Sequence, residues 1–125
     1  DDGLDEISIA AATHVTELRD GSIESYQISP EDFSFERQDL QGLSVASVGA
    51  SADLIRRALS SDDDPVARKA AAMLALNAGA TIYVSGIAAT LADGVAMAED
   101  ALASGLAGEK LCQFVEFTRM MRGQG

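Results

Sequence analysis

The chain has 125 residues, 47% of them apolar, which is enough for one domain with its own core and too apolar for a disordered tail. Its formal net charge of −11, from 20 acidic and 9 scattered basic residues, excludes a nucleic-acid surface, because phosphate contacts need clustered Lys and Arg. A single cysteine, Cys112, excludes an intrachain disulfide framework and a C-x-x-C metal site.

The first segment, Asp1-Asp2-Gly3-Leu4-Asp5-Glu6, carries no Met, and the chain is expected to be a piece of a longer protein. Ile7–Ile9 reads as a short strand or an extended lead-in. Thr13–Arg19 and Ser22–Ile28 hold the strand formers Val15, Thr16, Leu18, Ile23, Tyr26 and Ile28. Asp20-Gly21 between them is a two-residue hairpin signal, since a type I′ turn needs positive φ at both positions. Ser29-Pro30-Glu31-Asp32 punctuates the chain, and Gly42–Ala50 is small and polar enough to read as a loop.

Helical periodicity starts near Ser51, with Leu54, Ile55, Ala58 and Leu59 on one stripe. Asp62-Asp63-Asp64-Pro65 is a helix start, with Asp64 as cap and Pro65 in the first turn. That helix is predicted to run to about Ser85 and stop at Gly86, with Val66, Ala70, Met73, Leu74, Asn77, Ile82 and Val84 on its stripe. Thr90-Leu91-Ala92-Asp93 resembles a capping box with Asp in place of Glu. The helix after it carries Val95, Met97, Ala98, Ala101 and Leu102 and stops at Ser104-Gly105. A last helix carries Leu111, Phe114, Val115 and Thr118, and Gly123-Gln124-Gly125 is a frayed tail. Ala70–Val84 is the most apolar stretch, and it is too short and too interrupted by Asn77, Gly79 and Thr81 to cross a bilayer. A cytoplasmic protein with a buried, reduced Cys112 is expected.

Few residues carry chemistry. Asp5 and Glu6, adjacent carboxylates after a glycine, can supply several oxygen ligands to Mg²⁺, which completes its shell with water and phosphate. The competing reading is a solvated acidic turn, common in an acidic chain. Asp62-Asp63-Asp64 is better explained by the helix dipole than by metal binding. His14 lies in a strand with no recognisable triad, and Cys112 lies in an apolar run, so neither is read as catalytic. Gly3 and Gly49 form no phosphate-binding glycine motif. Asn77, polar in an apolar helix, is read as a hydrogen-bonding residue that fixes helix packing.

The order of the segments resembles the C-terminal half of anthranilate phosphoribosyltransferases. The likeness runs through Asp2-Gly3-Leu4-Asp5-Glu6-Ile7-Ser8, Thr13-His14-Val15-Thr16-Glu17-Leu18 and Tyr26-Gln27-Ile28-Ser29-Pro30-Glu31-Asp32-Phe33. It continues in Leu76-Asn77-Ala78-Gly79-Ala80, Tyr83-Val84-Ser85-Gly86, Leu91-Ala92-Asp93-Gly94-Val95 and Ala101-Leu102-Ala103-Ser104-Gly105. The chain departs from the family in three places. Ala10-Ala11-Ala12-Thr13 stands for a Thr-Gly-Pro-Thr-like stretch, Asp32-Phe33-Ser34 for Asp-Phe-Gly, and Ser47-Val48-Gly49-Ala50 for a double-glycine segment.

The resemblance implies an α/β fold, with residues 1–125 forming the C-terminal part of the larger, phosphoribosyltransferase domain of a nucleoside phosphorylase-like architecture. The chain would supply an antiparallel hairpin of a mixed central sheet, followed by packed helices with an apolar surface left open. It implies transfer of a phosphoribosyl group from phosphoribosyl pyrophosphate to anthranilate in tryptophan biosynthesis, by a homodimer. Matched to the family's Asp-Glu motif, Asp5 and Glu6 would hold Mg²⁺, with Glu6 shared between two ions. The family's G-T-G-G-D and K-H-G-N-R segments and its anthranilate-contacting residues precede the region seen here, so activity is expected only together with upstream sequence. The alternatives are a non-catalytic acidic α/β association module and a pyrimidine nucleoside phosphorylase-like enzyme.

Overall fold

A computed structural model describes residues 2–123. Gln124 and Gly125, two of the three residues expected to fray, lie outside them. The strands β1 (Thr13–Arg19) and β2 (Ser22–Ile28) are followed by a 3₁₀ turn at Pro30–Phe33. Four helices then follow, α1 (Val48–Leu59), α2 (Pro65–Val84), α3 (Leu91–Ala103) and α4 (Leu106–Arg122). The α/β reading, a hairpin followed by packed helices, holds.

The hairpin closes as its turn chemistry dictates. Asp20 and Gly21 take φ of 50° and 80°, and the antiparallel register runs from Thr13 opposite Ile28 to Arg19 opposite Ser22. Ile7–Ile9 forms no strand, and a bend at Ile9 precedes β1. Ser29 opens the 3₁₀ turn through a capping box with Asp32, whose carboxylate accepts the Ser29 N–H at 2.7 Å.

Asp64 caps α2, its Oδ2 accepting the N–H groups of Val66 and Ala67 at 2.9 and 3.0 Å. Thr90 caps α3 through the Asp93 N–H at 3.1 Å and donates its hydroxyl to the Asp93 carboxylate. Helix α1 starts at Val48, inside the stretch read as loop, because the Ser47 hydroxyl accepts the Ala50 N–H at 3.1 Å and nucleates the first turn. Helix α4 starts at Leu106 after Gly105, which takes φ of 79°.

The predicted face of α2 needs correction. Its buried residues are Ala67, Ala70, Ala72, Ala75, Leu76 and Gly79, whereas Val84 is 82% exposed. Small side chains are inside because α2 lies backbone to backbone on α3. A methyl placed on Gly79 would stand 2.6 Å from the Cα of Val95, and one on Gly94 would stand 3.1 Å from the carbonyl carbon of Gly79. With Ala on several faces the helix has no single apolar stripe for periodicity to find. The core is built on Ile9, Ala72, Leu76 and Val95, with Phe33, Phe35 and Leu40 against it.

The apolar surface expected on the helices is present: Phe114, Phe117, Met120 and Met121 of α4 are exposed. Cys112 is also exposed, contrary to expectation, since α4 presents none of its residues to the core as fully buried. Among the described residues no helix is long and apolar enough to cross a membrane.

Candidate functional site

The Asp5-Glu6 pair lies on the loop between Asp2 and Ser8. Three sets of hydrogen bonds tie this loop. Asp2 receives the Leu4 N–H at 3.2 Å and the Ser8 hydroxyl, which closes the loop at its base. The Ser8 hydroxyl in turn accepts the Ala10 N–H at 3.0 Å, and the Ser8 N–H reaches Thr13 Oγ1 at 3.4 Å. Farther along, Ile9 is fully buried and its carbonyl accepts the Gln38 N–H at 3.0 Å. Asn77 of α2 holds Ile7 from the other side, receiving its N–H at 2.9 Å and donating to its carbonyl at 2.9 Å.

The Ser8 hydroxyl, followed by the Leu4 N–H, holds the Asp2 carboxyl below the usual carboxylate range. Asp2 is therefore committed to the loop's own structure. Asp5 and Glu6 are exposed, and neither carboxylate makes a hydrogen bond or ion pair among the described residues. Glu6 borders a cavity of about 300 Å³ lined by Leu43, Val45, Leu54, Met73 and Asn77. No group of three or more His, Cys, Asp and Glu side chains gathers into a metal-binding cluster among the described residues. The donor set is thus two adjacent carboxylates on a tied loop. That suits Mg²⁺, which takes one or two carboxylates and fills the rest of its octahedron with water and phosphate oxygens. It does not suit a closed all-protein cage.

The second acidic run is structural. Arg57 bridges Asp62 at 3.0 Å and Asp64 at 2.6 Å, while Asp64 caps α2. His14 is exposed on β1, opposite Gln27. The reading of Asn77 as a hydrogen-bonding residue is right, but its partners extend beyond its helix.

A polar cluster that the sequence analysis passed over sits beneath the hairpin. Glu17 accepts the hydroxyls of Tyr83 at 2.5 Å and Tyr26 at 2.9 Å, and Arg19 donates to the Tyr83 oxygen at 3.2 Å. These residues border a cavity of about 610 Å³ between the hairpin and the end of α2. The Tyr83 bond, then the Tyr26 bond, lower the Glu17 pKa. Burial first and Glu17 second raise that of Tyr26. The hairpin register carried a signal for half of this cluster. Val15 pairs with Tyr26, which puts Glu17 diagonally across from the ring on the same face.

Residues 1–108 match the model of the glycosyl transferase family, a/b domain. The chain is 54% identical over 120 residues to an anthranilate phosphoribosyltransferase of Teredinibacter turnerae, covering 96% of this chain and 35% of that protein. It is 55% identical over 120 residues to one of Saccharophagus degradans, with the same coverage. A crystal structure of anthranilate phosphoribosyltransferase from Thermus thermophilus superposes with a TM-score of 0.77 at 31% identity, covering 95% of this chain and 34% of that one. The chain spans about a third of the length of these relatives. The tied acidic loop, the hairpin and helices α1 to α3 thus fall within a known a/b domain, and the chain is a member of the glycosyl transferase family that this domain defines.

Proposed function

We propose that the chain is the C-terminal part of the transferase domain of an anthranilate phosphoribosyltransferase. That enzyme moves a phosphoribosyl group from phosphoribosyl pyrophosphate to the amine of anthranilate in tryptophan biosynthesis. The observation that carries this reading is the identity above half across 96% of the chain to proteins of that name.

In this reading Asp5 and Glu6 hold Mg²⁺. Among the described residues their carboxylates have no partner to give up, and hydrogen bonds from Asn77 and between Asp2 and Ser8 hold the loop beneath them. An ion held by Asp5 and Glu6 would supply positive charge against the charge that builds on a departing pyrophosphate. Asp2 and Ser8 shape the loop, and Asp62 to Asp64 take no part. One acidic pair cannot orient two substrates, so turnover belongs to a longer protein that contains this chain. The reading also makes that protein a cytoplasmic homodimer. The exposed apolar side chains of α4 support burial against further protein.

The test compares the purified chain with the longer protein. The longer protein should convert phosphoribosyl pyrophosphate and anthranilate only with Mg²⁺, and the chain alone should convert neither. Asp5→Ala and Glu6→Ala should each raise the Mg²⁺ concentration needed for half-maximal rate, Glu6→Ala more if it is shared between two ions. The exposed control Asp63→Ala should not. Wild-type metal dependence in both acidic variants would refute the site. Turnover of a pyrimidine nucleoside with phosphate, and none of anthranilate, would refute the substrate.

A further inference from the structure

Asn77 and Ile7 are 70 residues apart in sequence and share two hydrogen bonds. A side-chain amide has one oxygen acceptor and two N–H donors. Asn77 uses both ends: Oδ1 receives the Ile7 N–H, and Nδ2 donates to the Ile7 carbonyl and to the Met73 carbonyl one turn back in α2, each at 2.9 Å. Had Asn77 served only to pack helices, its bonds would go to another helix or back to its own. Two of the three go instead to the backbone of the acidic loop.

The Ile7 N–H belongs to the peptide unit that begins at Glu6. That unit is planar and rigid, so holding its N–H and the following carbonyl fixes where the Glu6 Cα stands. The anchor is firm on its other side. Asn77 follows Ala75 and Leu76, both at most 1% exposed, on the stretch of α2 that lies against α3. Asp2 and Ser8 close the same loop at its base. The Asp5 and Glu6 carboxylates make no hydrogen bond or ion pair among the described residues, so Asn77 acts on the pair through the loop's backbone.

We propose that Asn77 is a positioning residue for the acidic pair, a two-point amide clamp from the rigid α2–α3 unit that presets Asp5 and Glu6 for a divalent cation. The proposal rests on the reading that this pair holds Mg²⁺. Groups that orient metal ligands without touching the ion are worth about 10- to 100-fold in metal affinity. Loss of the clamp should fall at the low end, about 10-fold, since Asp2 and Ser8 still close the loop.

The experiment uses the longer protein and four forms of it: wild type, Asn77→Ala, Asn77→Ser, and Asp5→Asn combined with Glu6→Gln. A serine hydroxyl can still bond the Met73 carbonyl within the helix but is too short to reach Ile7, so it keeps the helix and releases the loop. If Asn77→Ala does not fold, Asn77→Ser gives the same readings. Mn²⁺ binding in the presence of pyrophosphate is followed by electron paramagnetic resonance, and exchange of the Ile7 amide is followed without metal. Both Asn77 variants should bind Mn²⁺ about 10-fold more weakly and exchange the Ile7 amide faster, while melting near wild type if folded. Unchanged Mn²⁺ affinity in Asn77→Ser, alongside lost affinity in the acidic double variant, would overturn the clamp and leave the metal site standing. Wild-type affinity in the acidic double variant would overturn the site and the clamp with it.

Discussion

Replacing Gly79 by Ala sets two effects of opposite sign against each other. In an isolated helix the change is favourable by about 1 kcal/mol, because Ala loses less backbone freedom than Gly. Here the new methyl would stand 2.5 Å from Val95 Cγ2 and 2.6 Å from both Val95 Cα and N. Carbon atoms rest at about 3.5–4.0 Å, so the helices must part by roughly 1 Å, and the atoms in the way are largely backbone, which no rotamer change removes. A gap of that size forfeits about a quarter to a half of each dispersion contact across the interface. Overpacking of this kind costs about 1–3 kcal/mol, and the backbone clash puts Gly79→Ala at the upper end. After the propensity gain the net loss is about 2 kcal/mol. At about 2.1 cal/mol/K per residue, the chain's unfolding entropy near its midpoint is about 0.26 kcal/mol/K, so the Tm should fall by about 8 °C. Far-ultraviolet circular dichroism during heating and urea titration reads the change. Ala78→Gly, at the exposed neighbouring position, should cost only the propensity, about 4 °C. A Gly79→Ala chain as stable as wild type would show that α2 and α3 do not meet backbone to backbone.

Three further outcomes follow from the same geometry. The N–H of Ala67, then Arg57, depress the Asp64 carboxyl below its ordinary value of 3.8, and the Asp64 N–H, then Arg57, do the same for Asp62. Their contribution is whole above 3.8 and drains away as pH falls through that value to the folded pKa values below it. Arg57→Gln should therefore lower stability at neutral pH and flatten its decline through that acid range in urea titrations; a parallel decline would refute the pairing. Asp64→Ala should lower the Tm by about 4 °C by leaving two N–H groups of α2 uncapped, and no change would refute the cap. Ser34 takes φ of 65° at the end of the 3₁₀ turn, where the resembling family carries glycine, so Ser34→Gly should stabilise by up to about 1 kcal/mol in the same assay, and a loss would refute left-handed strain there.

Features with a local cause were readable from the sequence. Asp20-Gly21 needs only its own dihedral preference, Asp64-Pro65 only a cap and a fixed φ, and Thr90 with Asp93 only a reach of three residues. The start of α1 was hidden because Ser47, its cap, stands among other small polar residues that read equally well as loop. The buried face of α2 was misplaced because alanines serve both propensity and packing, and only the position of α3 decides which of them are inside. Cys112 was misjudged for a related reason: an apolar neighbourhood in sequence does not say whether anything covers the helix. For the proposed site, residue type alone left Asp5 and Glu6 readable as a solvated acidic turn, and it was the family resemblance that offered them a metal. The clamp joins positions 70 residues apart and leaves no trace in either segment alone.

The hairpin bears on how the chain behaves when concentrated. It is a sheet of two strands, so among the described residues the outer edges of both β1 and β2 lack a neighbouring strand. Leu18 and Ile23, paired across it, are each 72% exposed. Unpaired edges with apolar side chains are templates for adding strands from other molecules. The countermeasure is charge: Glu17 and Glu24 face each other on adjacent strands, and the whole chain carries −11 at neutral pH. Like charges hold copies apart, but salt screens them and acid removes them. Turbidity should therefore rise as pH approaches the isoelectric point near 4.2, with a β-rich signal in the aggregate, and Ile23→Lys on the open strand should suppress it.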